Sequence, residues 1–233
     1  MNGQFVKLLT GVALGSVAMF GAPLTANVAM TGAYGISYDG YGVGPYGAKV
    51  NNLTVPVGLI CDDFTDHVSG TESWTATVET LDFVIANGTG AVGTVAAGTR
   101  FQVATSLYEQ VAYLAQQLYA APTTQYAALQ TAIWSILDPG DSTLINLFVA
   151  GTGGTTSWVS AAQNYVSSHT TAQMTLQFAN VEILSPTSIP AGYSKMPQEF
   201  IYITPEPATY ALFGMGIVLL SLGTFRRRAK KTN

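Results

Sequence analysis

Phe101 to Gly140 reads FQVATSLYEQ VAYLAQQLYA APTTQYAALQ TAIWSILDPG, and this stretch decides the fold. Its first half sets Val103, Leu107, Val111, Leu114 and Leu118 at spacings of three and four, the period of one face of an α-helix. Pro122 has no backbone N–H to give and ends that run. Thr123 or Thr124 then offers a side-chain oxygen to cap a second helix, whose apolar face is Tyr126, Leu129, Ile133, Trp134 and Leu137. Asp138-Pro139-Gly140 stops it. A third helix is expected over Ser157 to Ser168, with Trp158, Ala161, Ala162 and Tyr165 inward.

On either side the period falls to two. Tyr34, Ile36 and Tyr38, then Val50, Leu53, Val55 and Val57, read as strands broken by glycine turns. Over residues 72–86, Trp74, Ala76, Val78 and Thr80 alternate with Thr75, Thr77 and Glu79, and Asn87-Gly88 signals a turn. Strands return at Met174–Leu184 and Glu199–Ile203. Strands, then helices, then strands predict an α+β fold. The expected architecture is a β-rich barrel or sandwich with an inserted helical subdomain of two to three helices at about 101–168. No internal repeat of useful length is present.

Charged residues make up only 9% of the 233, and hydrophobic ones 48%. Between residues 30 and 205, three basic residues (Lys49, Arg100 and Lys195) face twelve acidic ones, a balance of −9. A body of that charge repels nucleic acid and anionic lipid, which argues against a nucleic-acid partner. Cys61 is the single cysteine, so no intrachain disulfide holds the fold.

The two ends read as addresses. Lys7 precedes an apolar run from Leu8 to Phe20, followed by small residues at Gly21, Ala22, Ala26 and Ala29. That is the pattern of a secretory signal peptide over residues 1–29, with cleavage expected after Ala26 or Ala29. The run is short for a membrane span, which favours removal over retention as an anchor. At the other end Pro205-Glu206-Pro207 leads into an uncharged stretch from Ala208 to Phe225 and then Arg226, Arg227, Arg228, Lys230 and Lys231. At about 1.5 Å per residue this stretch reaches across a bilayer core as a C-terminal transmembrane helix. The basic cluster stays cytoplasmic and leaves residues 30–204 outside the inner membrane.

Residues 205–231 resemble the PEP-CTERM sorting signal of Gram-negative bacteria in all three of its parts: short motif, helix and arginine cluster. The resemblance implies recognition by an exosortase-type membrane protease after export by the secretion machinery and signal peptidase. The expected route is a precursor held in inner-membrane lipid through residues 208–225 with a periplasmic body. Its mature form would lie at the cell surface or outside the cell.

Within the second helix Gln130 is out of place. It lies four residues from both Tyr126 and Trp134 and so shares their apolar face. A buried amide without partners costs about 1–3 kcal/mol. It is either a core glutamine bonded to backbone carbonyls or a reactant. Leu129-Gln130-Thr131-Ala132-Ile133-Trp134 fits the pattern apolar-Gln-x-x-apolar-Trp. That pattern resembles the thioester domains of Gram-positive surface adhesins, in which a glutamine side chain acylates an upstream cysteine on a strand and releases ammonia. Here Cys61 follows Leu59 and Ile60 at the end of a predicted strand, ahead of the helices. Asp62 and Asp63 follow it where the family usually has an apolar residue. The resemblance covers roughly residues 58–137. It implies a Cys61–Gln130 thioester in a pocket formed by Ile60, Asp62, Tyr126 and Trp134. Cys61 needs thiolate character to close that bond, and both aspartates oppose it unless one accepts the proton.

Other constellations are thinner. Cys61 with His67 or His169 suggests a cysteine hydrolase on residue type alone. Asp62, Asp63, Asp66 and His67 lack the spacing of a calcium loop and read as a solvated acidic turn. No cofactor motif is present. The expected role is therefore a non-enzymatic surface or matrix protein attached covalently to a protein or polysaccharide ligand. A purely structural envelope or biofilm component without a thioester is the alternative, and a secreted cysteine hydrolase the more distant one.

Overall fold

The structure, a computed structural model, describes residues 24–32, 35–64, 68, 70–87, 107–141, 143, 144 and 154–204. Eight strands form among them: β1 Thr25–Met30, β2 Ile36–Tyr38, β3 Tyr41–Val43, β4 Tyr46–Val50, β5 Val57–Cys61, β6 Ser73–Thr80, β7 Val181–Pro186 and β8 Phe200–Ile203. Six of them close into an antiparallel barrel in the order β1-β4-β5-β8-β7-β6, with β6 returning to β1. The expectation of an α+β fold built on a β-rich barrel or sandwich is met by a barrel.

The alternation seen in the sequence sets which face points inward. Ala26, Val28 and Met30 of β1 are buried, as are Trp74 and Ala76 of β6. Small residues leave room for large ones in a narrow barrel. Ala26, Ala48 and Ala76 are fully enclosed, and the Trp74 and Phe200 rings stack at 5.8 Å between centroids. β2 and β3 form a separate hairpin turned by Asp39 and Gly40, both at positive φ, the two-residue geometry that matches strand twist.

β1 begins at Thr25, inside the segment read as signal peptide, so the β-rich unit starts five residues before the expected boundary at 30. Ala26 and Ala29, the expected cleavage positions, both pair with β6.

Five described helices lie between β6 and β7: α1 Leu81–Asn87, α2 Tyr108–Ala120, α3 Tyr126–Leu137, α4 Thr155–Ser168 and α5 Thr171–Gln177. The helical insert is thus wider than 101–168 and holds five described helices rather than the expected two to three. At its front, the strand expected to run to residue 86 stops at Thr80, because Leu81 and Val84 bury a helical rather than an alternating face. At its back, the strand expected from Met174 begins only at Val181. Thr170 and Gln173 form a reciprocal capping box that starts α5 across that stretch. Thr123 and Thr124 do not cap α3; they form a 3-10 turn, and Gln125 precedes the helix without a side-chain cap. α2 packs against α3 and α4 on one side and against β5 and β8 on the other.

Among the described residues no helix is long and apolar enough to cross a membrane. The expected span at 208–225, the Pro205-Glu206-Pro207 motif and Arg226, Arg227 and Arg228 lie outside the described residues, as do residues 1–23 of the expected signal peptide.

Candidate functional site

β5 ends on Cys61, which pairs with Phe200 of β8. α3 crosses beside this end of the barrel and buries Leu129, Gln130, Ile133 and Trp134. Its Gln130 Nε2 donates to the Cys61 backbone oxygen at 2.6 Å, and neither residue is exposed at all. The Cys61 thiol donates to the Asp63 backbone oxygen at 3.1 Å. The two residues that the thioester resemblance pairs thus meet in the core, the amide of one against the main-chain carbonyl of the other.

Four buried polar atoms at or beside this junction have no hydrogen-bond partner among the described residues: Gln130 Oε1, Trp134 Nε1, Thr131 Oγ1 and Asp62 Oδ1. Each such atom costs about 1–3 kcal/mol. Native cores keep few of them, and they gather where function overrides stability.

Burial pushes the Cys61 thiol well above its ordinary range, and the charges of Asp62 and then Asp63 push it the same way. The Trp134 indole N–H falls short of a hydrogen bond but lies near enough to the sulfur to favour its charged form. The resting thiol is therefore protonated, and a base must act before the sulfur becomes a nucleophile.

Asp62 turns to a second cluster. Its Oδ2 lies 2.5 Å from the Tyr108 hydroxyl, which is 2.7 Å from Glu199 Oε1; Ser185 Oγ donates to the other Glu199 oxygen. Asp62, Tyr108 and Ser185 are fully buried and Glu199 is 1% exposed. Burial first, then the neighbouring Glu199, raises the Asp62 carboxyl well above the carboxylate range.

The other expected pocket residues separate. Ile60 is buried, but as the neighbour of Cys61 on a strand it points to the opposite face. Tyr126 sits in a notch of the β2–β3 region, where a Cβ on Gly44 would stand 2.3 Å from its ring. Trp134 stays at the site and also lines a cleft of about 310 Å³ together with Tyr41, Tyr46, Phe64, Val68 and Gln198. Tyr41 and Phe64 rings lie 5.0 Å apart and Phe64 and Trp134 rings 5.1 Å apart, so the three form an aromatic cluster in the cleft lining. Gln198, in the same lining, donates from Nε2 to the Asp63 backbone oxygen at 2.9 Å.

Asp66 and His67 lie outside the described residues. The His169 ring stacks on Tyr165, and its Nδ1 lies 2.7 Å from the Tyr165 backbone oxygen at the end of α4. Among the described residues no group of three or more His, Cys, Asp or Glu is placed to hold a metal. Tyr108, Ser185, Gln198 and Glu199 were not read from the sequence. A lone acid at the start of an apolar strand, as at Glu199, is a signal that could have pointed to one of them. No protein-family model, curated protein or solved structure matches this chain.

Proposed function

We propose that this chain is an exported surface or extracellular-matrix protein that attaches covalently to its target through an internal Cys61–Gln130 thioester. The observation that carries the reading is the contact between Gln130 Nε2 and the Cys61 carbonyl at 2.6 Å inside a fully buried pocket, with Gln130 Oε1 left without a donor among the described residues.

The chemistry follows from that arrangement. The sulfur attacks Gln130 Cδ, the Sγ–Cδ bond forms and the Cδ–Nε2 bond breaks. The thiol proton ends on the nitrogen, which leaves as ammonia. The product suits its surroundings better than the reactant. A thioester oxygen is a weaker acceptor than an amide oxygen, so a buried Oε1 without a donor is less costly after the bond closes. The aromatic wall of Tyr41, Phe64 and Trp134 shields the bond from water. An amine or hydroxyl entering by the cleft attacks the acyl carbon, frees the Cys61 thiol and remains joined to Gln130.

Export rests on the sequence: an N-terminal signal peptide and a C-terminal tail resembling the PEP-CTERM signal. In this reading signal peptidase, an exosortase-type protease and inner-membrane lipid handle the precursor, and a surface protein or polysaccharide is the target.

The second reading treats Cys61 and Gln130 as packed neighbours in a structural envelope component. The bond from Gln130 to a backbone carbonyl favours it, since that is how an ordinary core glutamine is satisfied. Intact mass of the purified full chain separates the two. A wild type that has lost one ammonia, beside a Cys61→Ala variant that has not, supports the thioester; an unmodified wild type removes it.

A further inference from the structure

A tyrosine hydroxyl has one proton to donate. Tyr108 Oη nonetheless lies within hydrogen-bond distance of two carboxyl oxygens, Asp62 Oδ2 at 2.5 Å and Glu199 Oε1 at 2.7 Å. It donates to one and must accept from the other, so one carboxyl of the pair carries a proton. Ser185 donates to Glu199 from the far side. An array Asp62–Tyr108–Glu199 in which both contacts are hydrogen bonds of this kind holds one negative charge and one shared proton. Moving that proton along Tyr108 makes Asp62 an acid or a base in turn.

Two further observations relate Asp62 to Cys61. Asp62 is the next residue in the chain, and among ionisable groups its charge bears most strongly on the sulfur. Its Oδ1 is buried with no hydrogen-bond partner among the described residues, so one carboxylate oxygen is uncommitted. The groups facing Asp62 are Cys61 and Asp63 on its own segment, Tyr108 from α2 and Glu199 ahead of β8. The described basic residues Lys49 and Lys195 are exposed.

We propose that Asp62, paired with Glu199 through Tyr108, is the proton-transfer group for closing the Cys61–Gln130 bond, a role that rests on the thioester reading above. The Asp62 carboxylate takes the thiol proton as Sγ attacks Cδ. The proton passes to Nε2 as the carbon–nitrogen bond breaks and ammonia leaves, so Asp62 ends as it began. Glu199 keeps the basicity of Asp62 high, because two carboxylates this close cannot both ionise freely. A more basic Asp62 is better matched to a buried thiol.

The test follows ammonia loss by intact mass while the full chain refolds from denaturant over a range of pH. Wild type should close the bond with a rate that rises with pH through a midpoint above the ordinary carboxylate range. Asp62→Asn, which keeps an oxygen for Tyr108, should slow closure about 100-fold or more. Glu199→Gln leaves Asp62 in place but removes the like charge, and should move the midpoint down by about one pH unit or more. That displacement also serves if Asp62→Asn fails to fold, since a merely structural role would not produce it. Wild-type rates in Asp62→Asn, or an unmoved midpoint in Glu199→Gln, overturn the proton-transfer role and leave the thioester standing. Absence of ammonia loss from wild type removes the thioester itself.

Discussion

Gln130 and Cys61, 69 positions apart in the chain, meet through a 2.6 Å hydrogen bond from a side-chain amide to a main-chain carbonyl. The bond fixes one end of the amide and leaves the other bare. The nitrogen is held at the end of β5, while Oε1 finds no donor among the described residues. In the proposed acyl transfer the held nitrogen is the leaving group.

Methylamine is small enough to enter the 310 Å³ cleft beside Trp134. It should add to wild-type protein at a peptide containing Gln130 and free one thiol per molecule. Cys61→Ala and Gln130→Met should take up none while melting cooperatively. Peptide mapping after incubation reads the outcome, and label spread over several glutamines would contradict a thioester.

Removing the Gln130 side chain should destabilise the core whatever its chemistry. Gln130→Ala leaves a cavity and strands the Cys61 carbonyl, for a loss of about 2–4 kcal/mol. Gln130→Leu fills the volume and deletes the bare Oε1, so its loss should be smaller, about 1–2 kcal/mol. Denaturant unfolding at constant m-value measures both, and equal losses would mean that cavity volume is not what matters here.

Asp62 gives stability a definite pH slope. Its folded-state pKa is raised, by burial first and Glu199 second, so the folded chain holds this proton more tightly than the unfolded one. That contribution is whole below the unfolded value, near 3.8, and is lost as pH rises through the raised folded value. Unfolding free energy should therefore fall from mild acid upward, by at most about 1.4 kcal/mol per pH unit for one proton. Asp62→Asn should flatten the fall. Cys61 and Tyr108, with ordinary values of 9.0 and 10.0, are raised in the same sense and steepen the loss only in alkali. A stability that rises from mild acid to neutrality would contradict the buried proton.

Much of the site was legible because each half carries a short-range signal. Gln130 stood out as an amide on an apolar helical face, and Cys61 as the sole thiol closing a strand. Period two gave the barrel strands around Trp74 and Ala76, and periods of three and four gave α2 and α3. What escaped depends on register. Tyr108 reads as one more apolar residue on α2 until β8 carries Glu199 to it from 91 positions away. Met174 to Gln177 alternates well enough to pass for a strand, and only the Thr170–Gln173 capping box starts a helix there. Leu81 likewise looked like the next strand residue after Thr80, because a break in period shows only over a full helical turn.

Trp134 has two roles that substitutions can part. Trp134→Phe keeps most of the packing against Phe64 and removes the N–H that favours a charged sulfur. It should slow bond closure about tenfold, the equivalent of about 1.4 kcal/mol, with little change in stability. Trp134→Ala removes one member of the aromatic wall proposed to shield the bond. It should cost about 3–5 kcal/mol of stability and speed hydrolysis of any bond that forms. Time courses of ammonia loss and of water addition by mass spectrometry read the two effects, and identical behaviour of both variants would deny the wall its shielding role.

Strand β1 constrains where an exported form can begin. Thr25 to Ala29 pair with Thr77 to Ser73 of β6, and Val28 to Met30 pair with Val50 to Ala48 of β4, so β1 closes the barrel. Cutting after Ala29 would remove almost all of it, expose the β4 and β6 edges and uncover Trp74 and Val50. Cutting after Ala26 would remove Thr25 and the buried Ala26. A mature chain that keeps its barrel therefore starts at Thr25 or earlier. If the protein is exported as proposed, N-terminal sequencing of the mature form should find its first residue there. A chain lacking residues 1–24 should melt as the longer form does, while one lacking residues 1–29 should lose its cooperative transition. A folded, exported form that begins at Met30 would mean that the barrel closes without β1.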